Sequence, residues 1–225
     1  MKLAISGASG KTGFRIAEEA KNSGFDIRLL IRQTSKLPSS IASCEQKTIS
    51  LSDNNSLDKA LNGCNSLIIA TGAKPSIDLT GPARIDALGV QRQIESCKRN
   101  GVKRVILVSS LCAGRLIHPL NLFGLILIWK RIGERMLEQS DLDWTVIRPG
   151  GLNEREESLE KEFVRYTGPD RQQDAYIPRR LVAQCCIEAL KTPSSIGKII
   201  EITSSSNVEP LKMEEAIKSF KVEST

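Results

Sequence analysis

The chain has 225 residues, with 32 Lys and Arg against 26 Asp and Glu and aromatic side chains at only 4%. That length suits one α/β domain with a large core, residues 1–225, since no Gly/Ser/Pro-rich linker divides it. The net charge of +6 is interspersed with acidic residues rather than gathered into a stripe, and stacking side chains are scarce, which argues against nucleic-acid binding.

The opening Lys2-Leu3-Ala4-Ile5-Ser6 reads as a strand and runs directly into Gly7-Ala8-Ser9-Gly10-Lys11-Thr12-Gly13. Such a bend from strand into helix is where the diphosphate of a dinucleotide sits. Gly7 permits the sharp exit, Gly10 lets amides approach phosphate oxygens, and Gly13 lets the new helix pack closely on the strand. The helix start then offers unpaired N–H groups and a partial positive charge to an anion. Because the chain enters this strand at once, no signal or transit peptide is expected.

Phe14, Ile16, Ala17 and Ala20 recur at helical spacing as far as Gly24, and residues 26–31 predict a second strand. A third strand is expected over 46–50, a helix over 56–61, and a central strand buried on both faces over 66–71. After a loop with Pro75, Gly81 and Pro82, a helix is expected over 85–100 and a strand over 104–110. A helix over 122–139 then precedes a strand over 143–148, which Pro149-Gly150-Gly151 breaks. The charged run 154–162 is expected as an exposed helix, followed by a helix over 180–190 and a strand over 198–203. The most apolar stretch, 116–129, holds His118, Pro119 and Asn121 and is too short to span a bilayer, so no transmembrane segment is expected.

Repeated βα units imply a doubly wound parallel sheet, with a small C-terminal elaboration on the substrate side. Right-handed crossovers collect the loops that follow each strand along the carboxyl edge of the sheet. The six cysteines, Cys44, Cys64, Cys97, Cys112, Cys185 and Cys186, form neither C-x-x-C pairs nor His-assisted metal spacings. A reducing compartment without a metal site is expected.

Arg32 stands about twenty residues beyond the glycine turn, where an NAD enzyme places Asp or Glu on the ribose 2′-hydroxyl. A guanidinium there, with Lys36 four residues on and no acidic residue between, favours NADP over NAD. Ala70-Thr71-Gly72 either lets the cofactor's sugar-phosphate pass or is a plain structural turn. The hydroxyls of Ser109 and Ser110 end the fifth strand on the side where a nicotinamide ring would lie.

Together these residues resemble the atypical, NmrA-like short-chain dehydrogenase/reductase relatives, including the biliverdin-IXβ/flavin reductases and plastid and cyanobacterial members. The resemblance covers nearly the whole chain. It rests on the glycine turn with its G-x-x-G-x-x-G spacing, Arg32, the D-x-x-S-L-x-x-A-L-x-G pattern from Asp53 to Gly63, Gly101-Val102-Lys103-Arg104-Val105 ahead of Ser109-Ser110, and Arg148-Pro149-Gly150-Gly151-Leu152. It implies an NAD(P)-binding Rossmann fold, Ser50 and Leu51 flanking the adenine, and Pro149, Gly150, Gly151 and Leu152 near the nicotinamide. It also implies a cytoplasmic location, or the plastid stroma for a eukaryotic chain.

One departure from the wider pattern matters. Ordinary short-chain dehydrogenases place a Tyr four residues before a Lys, so that the phenol can pass a proton to or from the substrate oxygen. Lys130 holds the Lys position, but Ile126 stands where the Tyr should be. Lys130 is then a ribose-binding ammonium or a solvated lysine, and His118, the sole histidine, a proton donor or a loop-packing residue. Ser110, Lys130 and His118 are the catalytic candidates. The expected function is NADPH-dependent reduction of a flat redox acceptor such as a flavin, quinone or tetrapyrrole. The alternative is a non-catalytic NADP(H)-binding sensor or scaffold for a protein partner.

Overall fold

A computed structural model describes residues 1–73, 78–157, 159–172 and 175–220. Pro75 and part of the run 154–162 therefore lie outside the described residues. The first half alternates β1 (Lys2–Ser6), α1 (Gly13–Asn22), β2 (Asp26–Ile31), the short α2 (Ser39–Ala42), β3 (Glu45–Thr48), α3 (Asn54–Leu61) and β4 (Ser66–Ile69). A π-helical turn, Ala83–Leu88, leads into α4 (Gly89–Asn100), then β5 (Arg104–Val108), α5 (Ile126–Glu138) and β6 (Asp143–Pro149). The remainder comprises β7 (Gly151–Asn153), β8 (Phe163–Thr167), β9 (Tyr176–Pro178), α6 (Arg179–Lys191), β10 (Lys198–Ser205) and α7 (Met213–Ser219).

Eight strands form one sheet in the order β3-β2-β1-β4-β5-β6-β10-β8, and β7 pairs with β9 beside it. All neighbours in the large sheet run parallel except β8, which lies antiparallel on β10. Because β1 feeds β2 on one side while β4 lies on the other, the order reverses at β1/β4, and the loops after those strands splay apart into a crevice at the carboxyl edge.

The centre of the sheet is covered on both faces, so β4 and β5 read as nearly continuous apolar runs instead of alternating ones. On one face Leu3, Ile5, Leu29, Ile68 and Ile106 pack against α1 and α6 through Ile16, Ala20, Val182 and Cys186. On the other, Ala4, Leu30, Leu67, Ile69 and Val105 meet Leu57, Leu61, Val90, Ile94 and Leu137 of α3, α4 and α5. Each fully buried aliphatic side chain contributes about 1.5–3 kcal/mol of transfer free energy, which holds the carboxyl edge on a rigid base. Under that edge Arg148 donates to Glu134 through Nε (3.0 Å) and Nη2 (2.8 Å), and Glu201 accepts the backbone N–H groups of Asp170, Arg171 and Gln172.

Several boundaries differ from those read in the sequence. The third helix starts at Asn54, two residues early, because Asp53 caps it by accepting the Asn55 N–H at 3.0 Å. The third strand runs Glu45–Thr48 rather than 46–50; its ladder with β2 begins at Arg28↔Glu45, where the Glu45 carboxylate also binds Lys2 and Arg28. The helix expected over 122–139 begins only at Ile126. Ahead of it, Pro119–Leu122 forms a 3₁₀ turn, and Gly124 and Leu125, both at positive φ, redirect the chain. The described part of the run 154–162 is not an exposed helix: it leaves β7, carries a 3₁₀ turn at Leu159–Lys161, and pairs Glu154 with Lys11, Glu156 with Arg15 and Glu162 with its own Arg155.

Candidate functional site

The glycine turn is closed by backbone contacts. Gly10 N–H donates to the Gly7 carbonyl at 2.8 Å, and α1 starts within the same turn as Phe14 N–H donates to Gly10 O at 3.0 Å. Gly7 has φ +82°, and a Cβ there would lie 2.8 Å from the Ala70 carbonyl oxygen. At Gly13 a Cβ would collide with the carbonyl of Gly7. Glycine is thus required at both ends of the bend: the first residue by the loop that leaves β4, the last by the bend itself. Ala8 and Thr12 are buried, while Gly10 and Lys11 face outward.

The loop after β2 is tied to this bend. Ser9 Oγ donates to Ser35 Oγ at 3.0 Å, and Ser35 Oγ in turn accepts the Arg32 N–H at 3.2 Å. Arg32 and Lys36 are exposed, and neither side chain has a hydrogen bond or ion pair among the described residues. Ser35, which sequence reasoning passed over, is the link that brings Arg32 to the glycine turn; a serine inside a polar loop carries no periodic signal. Ser50 is exposed and bonded to Ser52 (2.8 Å), and Leu51 is half-buried against Gly89, both on the loop that follows β3.

Across the switch point, Ala70 N–H donates to Ser6 O at 2.9 Å as the last rung between β1 and β4, and Thr71-Gly72 then turns away. A Cβ on Gly72 would lie 3.4 Å from Lys130 Nζ. Lys130 therefore reaches the end of β4, bonded at 2.8 Å to Asp86, a carboxylate only 3% exposed within the π-helical turn. The other Asp86 oxygen accepts the Ala73 N–H at 3.1 Å. Asp86 was not singled out in the sequence, although a carboxylate set among Ile85 and Ala87 needs a partner once buried, and that was the available signal.

Beyond β5, the rungs Ser109 N–H to Ile147 O (2.8 Å) and Leu111 N–H to Pro149 O (2.9 Å) carry Ser109 and Ser110 to the same edge as Pro149-Gly150-Gly151-Leu152. Gly151 N–H is held by Ala175 O at 2.8 Å, and Leu152 stays partly exposed. His118 is spent locally: its Nδ1 accepts the Leu120 N–H at 3.2 Å and caps the 3₁₀ turn. Ile126 lies one helical turn before Lys130 and is buried. Tyr166 belongs to the opposite edge of the sheet, its hydroxyl donating to Glu188 at 2.7 Å, and burial pushes that phenol far above its usual pKa.

Cations crowd the start of α1. Arg15 donates to the Lys11 carbonyl at 2.7 Å and pairs with Glu156, Lys11 pairs with Glu154, and Arg180 reaches Glu18 at 2.7 Å and Glu156 at 3.3 Å. Burial works to raise the Glu156 pKa, but the bond from Arg15 and the charge of Arg180 outweigh it and hold the carboxyl below its ordinary value. Arg179 Nη1 donates to Thr12 Oγ1 at 2.9 Å.

These residues fit a nicotinamide dinucleotide on two structural grounds. The glycine bend closes only because Gly7 and Gly13 carry no Cβ, and Gly10 and Lys11 on it face outward. In addition, the buried hydroxyls of Ser6, Thr71 and Ser109, at or just past the ends of β1, β4 and β5, have no hydrogen-bond partner. Buried polar groups are ordinarily satisfied, and three orphans along one edge mark a place where a polar ligand belongs.

Comparison with known proteins agrees with this geometry. Residues 7–193 match the NAD(P)H-binding family. An uncharacterized chloroplastic protein of Arabidopsis thaliana is 31% identical over 221 residues, covering 90% of this chain and 76% of that protein. Sanguinarine reductase of Eschscholzia californica is 29% identical over 262 residues, covering 98% of this chain and 94% of the reductase. Among solved structures, ChuY of Escherichia coli O157:H7, described as an anaerobillin reductase, superposes with a TM-score of 0.74 at 20% identity, covering 94% of this chain and all of that one.

Proposed function

The chain belongs to the NAD(P)H-binding family, and from that premise we propose that it is an NADPH-dependent reductase of a flat, apolar redox acceptor of the flavin, quinone or linear tetrapyrrole kind. One observation carries this reading. The loop between Ser109-Ser110 and Lys130, which joins two of the proposed coenzyme-binding positions, exposes Leu116 (75%), Ile117 (99%), Leu122 (81%) and Phe123. Exposed large apolar side chains gathered on one loop suit an apolar partner.

When bound, the coenzyme supplies a hydride. The chain's own residues bind and orient. Amides of the bend other than that of Gly10 hold the diphosphate, Arg32 and Lys36 take the 2′-phosphate, and Leu51 packs against the adenine. Lys130, fixed by Asp86, donates to the ribose hydroxyls. Ser109 and Ser110 offer hydroxyls beside the ring, with Pro149 to Leu152 behind it. Ile126 has no proton to give, so the acceptor takes its proton from water, which suits an acceptor whose reduced form is a stabilised anion.

The reductase names of two similar proteins, sanguinarine reductase and the anaerobillin reductase ChuY, support a small-molecule acceptor. No helix among the described residues is long and apolar enough to cross a membrane, and cysteines that form no C-x-x-C pairs suit work in the cytoplasm or the plastid stroma. Ile126 in place of a tyrosine favours a second reading, a non-catalytic NADP(H)-binding sensor or scaffold whose apolar loop meets a protein. Stopped-flow mixing of the NADPH-loaded protein with flavins and quinones separates the two. Cofactor oxidation above the protein-free rate supports the reductase; none with any acceptor overturns it.

A further inference from the structure

We infer that Arg179, at the start of α6, is a ligand of the dinucleotide's diphosphate, holding it from beside the glycine bend. This rests on the NADPH reading above. Helix α6 packs along α1 on the same face of the sheet, so its first residue stands beside the first residues of α1, and Arg179 Nη1 meets Thr12 Oγ1 at 2.9 Å.

Three features leave this guanidinium incomplete. Its Nε is buried and has no hydrogen-bond partner, and Arg179 has no ion pair among the described residues. The neighbouring Arg180 differs, being satisfied by Glu18 and Glu156. The first turn of α6 carries no acidic residue, so a fixed cation stands at the positive end of a helix, an arrangement that the helix dipole disfavours. Burial, aided by the nearby Arg15, also lowers its pKa from the usual guanidinium value, against the pull of Glu154.

A group with several anionic oxygens bound beside the Thr12–Arg179 pair relieves all three at once. It accepts from Nε, neutralises the charge, and faces two helix N-termini. The planar fork of an arginine suits phosphate oxygens in a way that a lysine point charge does not. Because the diphosphate is common to both coenzymes, Arg179 sets affinity for each equally, whereas Arg32 sets the choice between them. The sequence held one clue, two arginines directly after Pro178 where a helix start ordinarily carries acidic residues.

Calorimetric titration of the full chain and of Arg179→Gln with NADPH, NADH and adenosine 2′-monophosphate tests this, with inorganic pyrophosphate as competitor. The expected result is a loss of roughly 10- to 100-fold for both coenzymes, the range for charge-assisted hydrogen bonds. The monophosphate should bind within twofold of the parent, and pyrophosphate should compete in the parent only. Unchanged coenzyme affinity in the variant overturns the inference, as does an equal loss for the monophosphate, which would mean general collapse of the crevice. Arg179→Lys keeps the charge and the reach to Thr12, and it serves if Arg179→Gln does not fold. It should lose at least threefold for both coenzymes, and parental affinity would count against this role. If the parent chain binds neither coenzyme, the NADPH reading itself fails; if the parent binds and the variants match it, only the role of Arg179 fails.

Discussion

The Lys130 ammonium and the Asp86 carboxylate meet at 2.8 Å across the exit of β4, and the second oxygen of Asp86 holds the Ala73 N–H at 3.1 Å. One carboxylate thereby fixes both the turn after β4 and the Lys130 ammonium at the ribose end of the proposed crevice. Gly133 on α5 allows the close approach, since a Cβ there would strike the Asp86 carbonyl.

The two partners should respond unequally to substitution. Lys130→Met strands a buried carboxylate, and breaking such a pair costs about 3–5 kcal/mol. Asp86→Asn leaves a neutral amide that can still bond Ala73 N–H, with the ammonium free to turn to solvent. Thermal unfolding should show a drop of roughly 6–20 °C for the lysine variant, given about 2–4 °C per kcal/mol in a chain of this size, and less than half of that for Asp86→Asn. Equal drops would mean that Asp86 is not held as the carboxylate of this pair.

Arg32→Asp should weaken NADPH binding by about 1–3 kcal/mol, the range for a charge-assisted bond, and leave NADH nearly unaffected. Fluorescence titration with both coenzymes reads the ratio directly. Equal losses would remove the 2′-phosphate from this arginine.

Gly13→Ala places a methyl group against the Gly7 carbonyl, whereas at Gly24, which has φ +78°, nothing lies within 4 Å. Both are glycines near α1, but only the first lines the bend. Gly13→Ala should lose coenzyme binding by tenfold or more. Gly24→Ala should retain binding and cost only about 1–2 kcal/mol of stability from the left-handed backbone. Parental affinity in Gly13→Ala would contradict binding at the bend.

Replacing Ile117 and Leu122 by Ser removes exposed apolar surface with little effect on folding, because substitutions of exposed residues generally stay within about 0.5 kcal/mol each. The KM for an apolar acceptor should rise severalfold while the NADPH Kd holds. A shift in both would place the loop on the coenzyme instead.

Much of this organisation could be read in the chain. The apolar run 66–71 announced a strand buried on both faces, of which Ser66–Ile69 forms β4, and the glycine spacing at 7, 10 and 13 announced the bend. The short strands β7 and β9 escaped because three residues carry no period, and β8 because its burial is only partial along the strand. The 3₁₀ turn ahead of α5 was hidden inside an apolar run whose helical spacing continues through it. At the site, single residues announced themselves where a strand ended on them, as at Arg32 and Ser109. Those joined by the fold alone did not: Asp86 finds Lys130 44 residues away, and Arg179 finds Thr12 at a separation of 167.

Isothermal titration of the purified, folded chain with NADPH and with NADH is the most direct test of the whole account. A measurable heat with both and a lower Kd for NADPH is the expected result. No heat with either coenzyme would contradict it.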